Sequence, residues 1–292
     1  MPTPLLPELT GNTLTVDVAL NTPTIIRDRI AALADDQLLL PHFFHPHGAK
    51  IDGGGMLYTL LKYSDLFTTG VEKRAPLTEY PLVQGVDPET KLATVADYGG
   101  AVEIAYEEIS RNNVSRLDQA ATQLANEVAV KLDTVALAAV NASGIDSVAV
   151  DEPWDTLVTV GPEADLTPSA DRPTAHFAQA QELADLAQLG AVFDRLLVHP
   201  SQARALRTAY AADLGKMLES CGLTMHVNAR IADGTAYLVK SGLTGIVGFE
   251  SPLQVVVTDQ PRTKSKLLQV FVVPAFGVDK PHNTIRLTGL AS

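Results

Sequence analysis

Apolar positions follow a helical step along one long stretch of this chain and a strand-like alternation along much of the rest. Val114, Leu117, Ala121, Leu124, Val128, Leu132, Val135 and Ala139 recur at steps of three and four. That spacing puts them on one face and predicts a helix over 114–141. Asn112 or Asn113 can cap it, Ser115 and Asp118 stand at capping-box spacing with Asp in place of Glu, and Gly144 ends it. At 1.5 Å per residue such a helix is ~42 Å long. A compact chain of this size has a radius of gyration of roughly 19 Å, so the helix crosses most of the molecule.

Other helices are shorter. Ile25, Ile26, Ile30 and Leu33 predict one over 24–36, stopped by Pro41. Thr174 caps another over 176–189, closed by Gly190, and His199-Pro200-Ser201 opens a third that runs to about Tyr210. Between these last two, 195–198 is a short apolar strand. From Gly222 onward the pattern is strand and turn: "LTMHV", "TAYLVK", "TGIVGF", "LQVVVT", "KLLQVFVVPAFGV" and "NTIRLTGL". The apolar run 264–273 is long enough to lie centrally in a sheet. "DTLVTV" at 155–160 is read as the one strand of the proline- and aspartate-rich stretch 145–171. The class is α+β.

The stretches without period are as informative. Residues 1–11 carry three prolines and read as an extended arm. "HFFHPHGAKIDGGG" at 42–55 reads as loop. Residues 56–88 are strand fragments broken by Gly70, Pro76, Pro81, Gly85 and Pro88. A compact domain rarely carries such a stretch unless it has a function. Residues 94–105 are strand-like and run straight toward the long helix, with Gly99-Gly100 read as the place where they bend.

Composition narrows the function. The chain has 292 residues, 46% of them apolar, and a net charge of −12. So acidic a surface repels phosphate, which argues against sequence-independent grip on nucleic acid and against an anionic membrane as partner. No lysine/arginine run offsets it. One cysteine, Cys221, permits neither an internal disulfide nor a cysteine-based zinc site, and is read as belonging to a reducing compartment. The N-terminus lacks a basic n-region and is read as no signal peptide. No run of about 18 apolar residues is present to span a membrane.

His42, His45 and His47 form H-x2-H-x-H, which could hold a transition metal; a proline-containing loop with chance histidines is the plainer reading. "GAKIDGGG" lacks the order and the following helix of a phosphate loop and is read as a hinge. Gly242, Gly245 and Gly248 lead into strand rather than helix, so they are read as turn and bulge glycines. GxSxG is absent. Cys221 has Glu219 and His226 near it in sequence, but the plainer reading is a helix-end cysteine. Glu103, Glu107 and Glu108 are read as solvated carboxylates rather than an acid–base pair. No catalytic residue, metal ligand or cofactor site is assigned, and the chain is not read as an enzyme.

The order of parts resembles the major capsid proteins of tailed bacteriophages, the Hong Kong 97 fold. "ADYGGAVEIAYEEISRNNVSRLDQAATQLANEVAVKLDTVAL" is similar to that family's passage from an extended E-loop into a spine helix, including the short phrase "IAYEEISRN" before the helix. "FDRLLVHPSQARALRTAYAADLGKML" resembles the strand and proline-started helix of the axial domain. "GLTMHVNARIADGTAYLVKSGLTGIVGF" resembles its strand, Ala-Asp-Gly turn and strand. "LLQVFVVPAFGVDKPHNTIRLTGL" resembles the closing strands that return to the peripheral domain.

The resemblance implies a division into an N-terminal arm with first helix (1–49), an E-loop (50–101), a peripheral domain with the spine helix (102–175), an axial domain (176–258) and C-terminal strands returning to the peripheral domain (259–292). It implies a major capsid protein whose copies form hexamers and pentamers of an icosahedral shell around double-stranded DNA. Binding to that DNA would not be sequence-specific, and no membrane is involved. Separate scaffolding, portal and decoration proteins are implied partners, the virion is the implied location, and the host bacterial cytoplasm the place of assembly. Leu60, Leu61, Leu66, Phe67, Lys73 and Arg74 of the E-loop are expected to find partners on the next subunit. Some members crosslink an E-loop lysine to a neighbour's asparagine. Lys50, Lys62 and Lys73 lie in the arm, but no partner matches, so no such chemistry is assigned. The alternatives are an encapsulin-like nanocompartment shell and, from another class, a metal-dependent enzyme using the three histidines.

Overall fold

The computed structural model describes residues 20, 23–35, 38–62, 65, 71–80, 82, 87–111 and 114–292. The expected N-terminal arm and the caps Asn112 and Asn113 lie outside the described residues. The chain builds α1 (Pro23–Asp35), α2 (Leu40–Phe43), β1 (Phe44–Pro46), β2 (Gly55–Leu60), β3 (Glu89–Thr94), β4 (Tyr98–Ala105), α3 (Tyr106–Ser110) and the long helix α4 (Val114–Ala142). Then come β5 (Asp146–Ala149), α5 (Pro173–Leu186), β6 (Arg195–Val198), α6 (Pro200–Tyr210), α7 (Leu214–Ser220), β7 (Thr224–Val227), β8 (Thr235–Val239), β9 (Gly245–Gln260), β10 (Ser265–Gly277) and β11 (Thr284–Thr288).

Two sheets share the long helix. One has the order β1-β9-β10-β4 and the other β5-β11-β8-β6-β7. On the first half of α4, Leu117, Ala121, Leu124, Val128 and Leu132 pack with Leu268, Val270 and Val272 of β10 and with Ile26 and Ile30 of α1. On the last turns, Ala136, Leu137 and Val140 pack with Leu197, Tyr237 and Val239 of the second sheet and with Phe43 of α2. The second sheet alternates as a sheet buried on both faces must. Leu197 and Tyr237 face α4, while Leu196, Val198, Ala236 and Leu238 face a core with Trp154, Phe177 and Leu206. Among the described residues, helices α1 and α4 cover one face of the four-stranded sheet.

Asp133 marks the changeover on α4. It is fully buried, and its Oδ1 accepts the N–H groups of Leu39 at 2.8 Å and Leu40 at 3.2 Å. Arg230, on the loop between β7 and β8, donates from Nη1 to its Oδ2 at 2.7 Å. One carboxylate thus ties helix, N-terminal segment and second sheet together. Burial pushes its pKa up, against the pull of the Leu39 N–H and of Arg230.

Several elements differ from expectation. "DTLVTV" is a 3₁₀ turn at Trp154–Thr156 followed by a loop; the strand of this region is β5, which pairs in parallel with β11. The loop expected at 42–55 contains α2 and β1, and β1 joins β9 in parallel. Pro41, expected to stop a helix, stands at the start of α2, where its missing N–H costs nothing. "TGIVGF" and "LQVVVT" are one strand, β9; Pro252 is accommodated beyond β1's short pairing, where β9 is an edge. Gly242 is the turn residue expected (φ 66°), but a Cβ on Gly245 or Gly248 would lie 2.6 Å from Phe44 or Ile51, so these two serve close packing. The stretch 94–105, expected to be one strand-like run, is the end of β3 and all of β4, parted at 95–97. Gly99 and Gly100 lie inside β4 and do not bend it; a Cβ on Gly99 would stand 2.7 Å from the Val270 carbonyl oxygen. As expected, β10 is central, between β9 and β4. The stretch from 259 onward contributes to both sheets, β10 to one and β11 to the other.

Asp133→Ala removes the buried carboxylate that Arg230 and two backbone N–H groups share, and is expected to lower unfolding free energy by about 3–5 kcal/mol. The paired change Asp133→Leu with Arg230→Met should recover part of that loss. Equilibrium denaturation of the three proteins checks both statements; a single mutant as stable as wild type would mean the tie contributes nothing.

Candidate functional site

β2 (Gly55–Leu60) and β3 (Glu89–Thr94) form a two-stranded antiparallel ribbon, with Met56 opposite Ala93 and Leu60 opposite Glu89. A lone ribbon is marginal in water, and this one is held at its root. Met56 and Ala93 pack with Ile51 and with Ala275 of β10. Gly277 of β10 is the floor beneath Tyr58: a Cβ there would stand 2.8 Å from the Tyr58 ring. The Leu61 N–H donates to the Asp279 carbonyl at 2.8 Å. Above the root, Lys62 and Glu89 form an ion pair at 2.5 Å across the ribbon, which holds the Lys62 pKa up and the Glu89 pKa down.

The period-2 alternation of the strands divides the ribbon into two faces. Met56, Tyr58 and Leu60 face the molecule. Leu57 and its cross-strand partner Leu92 face out, 69% and 60% exposed. Beyond the root every residue from 71 to 80 is exposed. Val71, Leu77, Tyr80 and Leu82 are all more than two-thirds exposed, so the tip offers apolar area that its own subunit does not bury. Arg74 lies over the Tyr80 ring at 4.6 Å and donates to the Thr78 carbonyl at 3.0 Å, which gives the tip a local fold.

The expected contact residues therefore divide. Lys73 and Arg74 are exposed on the tip. Leu66 and Phe67 lie outside the described residues. Leu61 is half-buried at the root. Leu60 is a correction: it is already buried (6% exposed) in its own subunit, because its place in the alternation turns it inward. Sequence reasoning missed Val71, Leu77, Tyr80 and Leu82. Their signal was there, as single apolar residues set among Gly70, Pro76 and Pro81, where no core can form.

The three histidines weighed above as an alternative metal site go separate ways. The His42 ring packs on His226 with centroids 4.4 Å apart, and His47 is exposed. Among the described residues no three His, Cys, Asp or Glu side chains come together to hold a metal ion. Cys221 follows α7 directly, its N–H on the Met217 and Leu218 carbonyls, while the His226 ring is engaged with His42.

A profile of the family described as "Phage capsid protein" matches residues 88–286. The structure of a virus-like particle from Pyrococcus furiosus superposes with a TM-score of 0.63 at 15% identity, covering 90% of this chain and 97% of that one. The capsid of Myoviridae phage XM1 gives 0.60 at 13%, covering 85% and 89%. That of cyanophage P-SCSP1u gives 0.60 at 13%, covering 99% and 94%. At such identities the likeness shows a shared fold, the Hong Kong 97 type expected from the order of parts. No curated protein sequence matches the chain.

Burial, then His226 and Arg195, lower the His42 pKa from 6.5 to about 4. A histidine held low in the fold takes up its proton first in the unfolded chain. Its contribution is complete above pH 6.5 and is lost as pH falls toward about 4. The melting temperature of His42→Gln should fall less steeply than that of wild type between those limits. Parallel slopes would show that His42 is not desolvated.

Proposed function

The chain belongs to the phage capsid protein family and is a major capsid protein, and we propose that its ribbon is the arm by which one copy holds the next in hexamers and pentamers of an icosahedral shell. The carrying observation is the tip. Val71, Leu77, Tyr80 and Leu82 are exposed on a ribbon whose own packing ends at its root. Evolved subunits rarely leave such apolar area in water unless a partner covers it. A stable contact buries ~800 Å² on each partner, and many modest contacts around a ring act together.

In this reading residues 50–101 are the E-loop, α4 is the spine of a peripheral domain, and the second sheet with α5, α6 and α7 is the axial domain. Leu57 and Leu92 on the ribbon's outer face extend the tip's contact surface. Lys73 and Arg74 set register against a neighbour's carboxylates, a role in which charge gives specificity more than affinity. The net charge of −12 suits a wall that must enclose double-stranded DNA without adhering to it. The shell belongs to the virion, is assembled in the host cytoplasm, and draws on separate scaffolding, portal and decoration proteins. No residue is given a catalytic role.

Replacing residues 62–84 by a short Gly/Ser link should leave a soluble subunit with unchanged helix content. Changing loop length twofold costs only ~0.6 kcal/mol, and the removed residues lie beyond the root. Assembly should stop at monomers or small rings. Circular dichroism melts beside analytical ultracentrifugation read both outcomes. An unfolded shortened chain would make the segment part of the core; normal shells would remove its role as the arm.

A further inference from the structure

β4 is the end strand of its sheet, and its outer edge has no partner among the described residues. The hydrogen bonding shows which groups face out. Tyr106 N–H donates to the Lys264 carbonyl at 2.9 Å, and the β4–β10 register runs without a shift from Ala105–Ser265 to Tyr98–Val272. In an antiparallel pair the bonded residues alternate. The even-numbered residues of β4 therefore bond to β10, and Gly99, Ala101 and Glu103 turn their N–H and C=O groups outward. All three residues are exposed.

The same few residues are flanked by hollows on both faces. Between β4 and α4 lies a depression of about 290 Å³, with Leu124 and Val128 on its floor and Asp97, Glu127 and Lys131 at its rim. On the opposite face a second one, of about 460 Å³, is lined by Gly99, Ala101, Gln269 and Phe271. The glycines create both: Gly99 has no side chain on the outer face and Gly100 none toward Leu124. An open strand edge with a hollow on each face is what an added strand needs. The backbone bonds the edge, and successive side chains drop alternately to either side.

We propose that β4 accepts, as an added strand, the extended tip segment 71–76 of a second copy of this chain. The segment is fully exposed and forms no strand of its own. Its sequence, Val71-Glu72-Lys73-Arg74-Ala75-Pro76, alternates so that Val71, Lys73 and Ala75 fall on one side. That side suits the hollow on α4: Val71 meets the Leu124–Val128 floor, and Lys73 meets Asp97 and Glu127. Lys131, the one cation at that rim among the described residues, is drawn over the Tyr98 ring at 5.3 Å. Pro76 ends the pairing, since it has no N–H to give. This inference rests on the ribbon being the inter-subunit arm, and adds where the arm lands and how it is held.

The test is Ala101→Pro. It deletes one outward N–H and obstructs the edge while leaving every bond to β10, so the subunit should melt as wild type does. Expressed under conditions where wild type forms shells, the variant should show at least a tenfold loss of assembled material by ultracentrifugation. A second measurement does not depend on tolerance of proline. With Cys221→Ser as background, Glu72→Cys combined with Ala101→Cys, which fall on the same face away from α4, should give an oxidised ladder extending beyond dimers, and neither cysteine alone should do so. Wild-type yields of shells from Ala101→Pro, together with no ladder in shells of the double-cysteine protein, would overturn the landing site and leave the arm's role intact. Failure of wild type itself to assemble, with and without a scaffold, would overturn both.

Discussion

A helix as long as α4 cannot be supported by one small core, and most of the fold follows from dividing its support between two. Its first half is the wall of the four-stranded sheet and its last turns the wall of the five-stranded one. At those last turns Phe44 and Val247 of the first sheet join the same core as Leu197, Tyr237 and Val239 of the second, so the helix end and this shared core fix how the two sheets stand to one another. Asp133 sits where one core gives way to the next, and a buried carboxylate there cannot be left without donors. It finds them in the two segments that must be held at that level, the Leu39–Leu40 backbone and the Arg230 loop. The site rigidifies because an alternative arrangement would strand a charge.

What the sequence disclosed follows from how local the deciding interactions are. The long helix was legible to within a residue, because its apolar stripe is its own record. β6 and α6 were legible to the residue, being short elements bounded by proline and turn chemistry. β5 and "DTLVTV" were exchanged, since apolar content was equal and only the distant β11 decided between them. The glycines of β4 were misread as a bend for the same reason: their cause lies on β10 and on Leu124, remote in sequence. Of the proposed contact surface, the exposed tip was legible as a region and not as a set of residues. Leu60 was assigned to a neighbour because alternation gives two faces but does not say which one its own chain covers.

The root of the ribbon does a different job from its tip. A contact that joins one patch to a different patch on the next copy closes into a ring only if the rotation between copies is fixed; otherwise it winds into a filament. The tip's apolar residues carry no such angular information, because hydrophobic contact is not directional. The angle at which the arm leaves the subunit is set lower down, where Tyr58 lies against Gly277 and the Leu61 N–H is bonded to Asp279. Both anchor points belong to the end of β10 and the residues just after it, the strand whose other half packs on α4. The long helix thus reaches the assembly geometry through one strand. A larger residue at 277 would lift the ribbon and change its exit angle while leaving the tip's chemistry untouched, so that in the assembly proposed above this glycine bears on closure rather than on affinity.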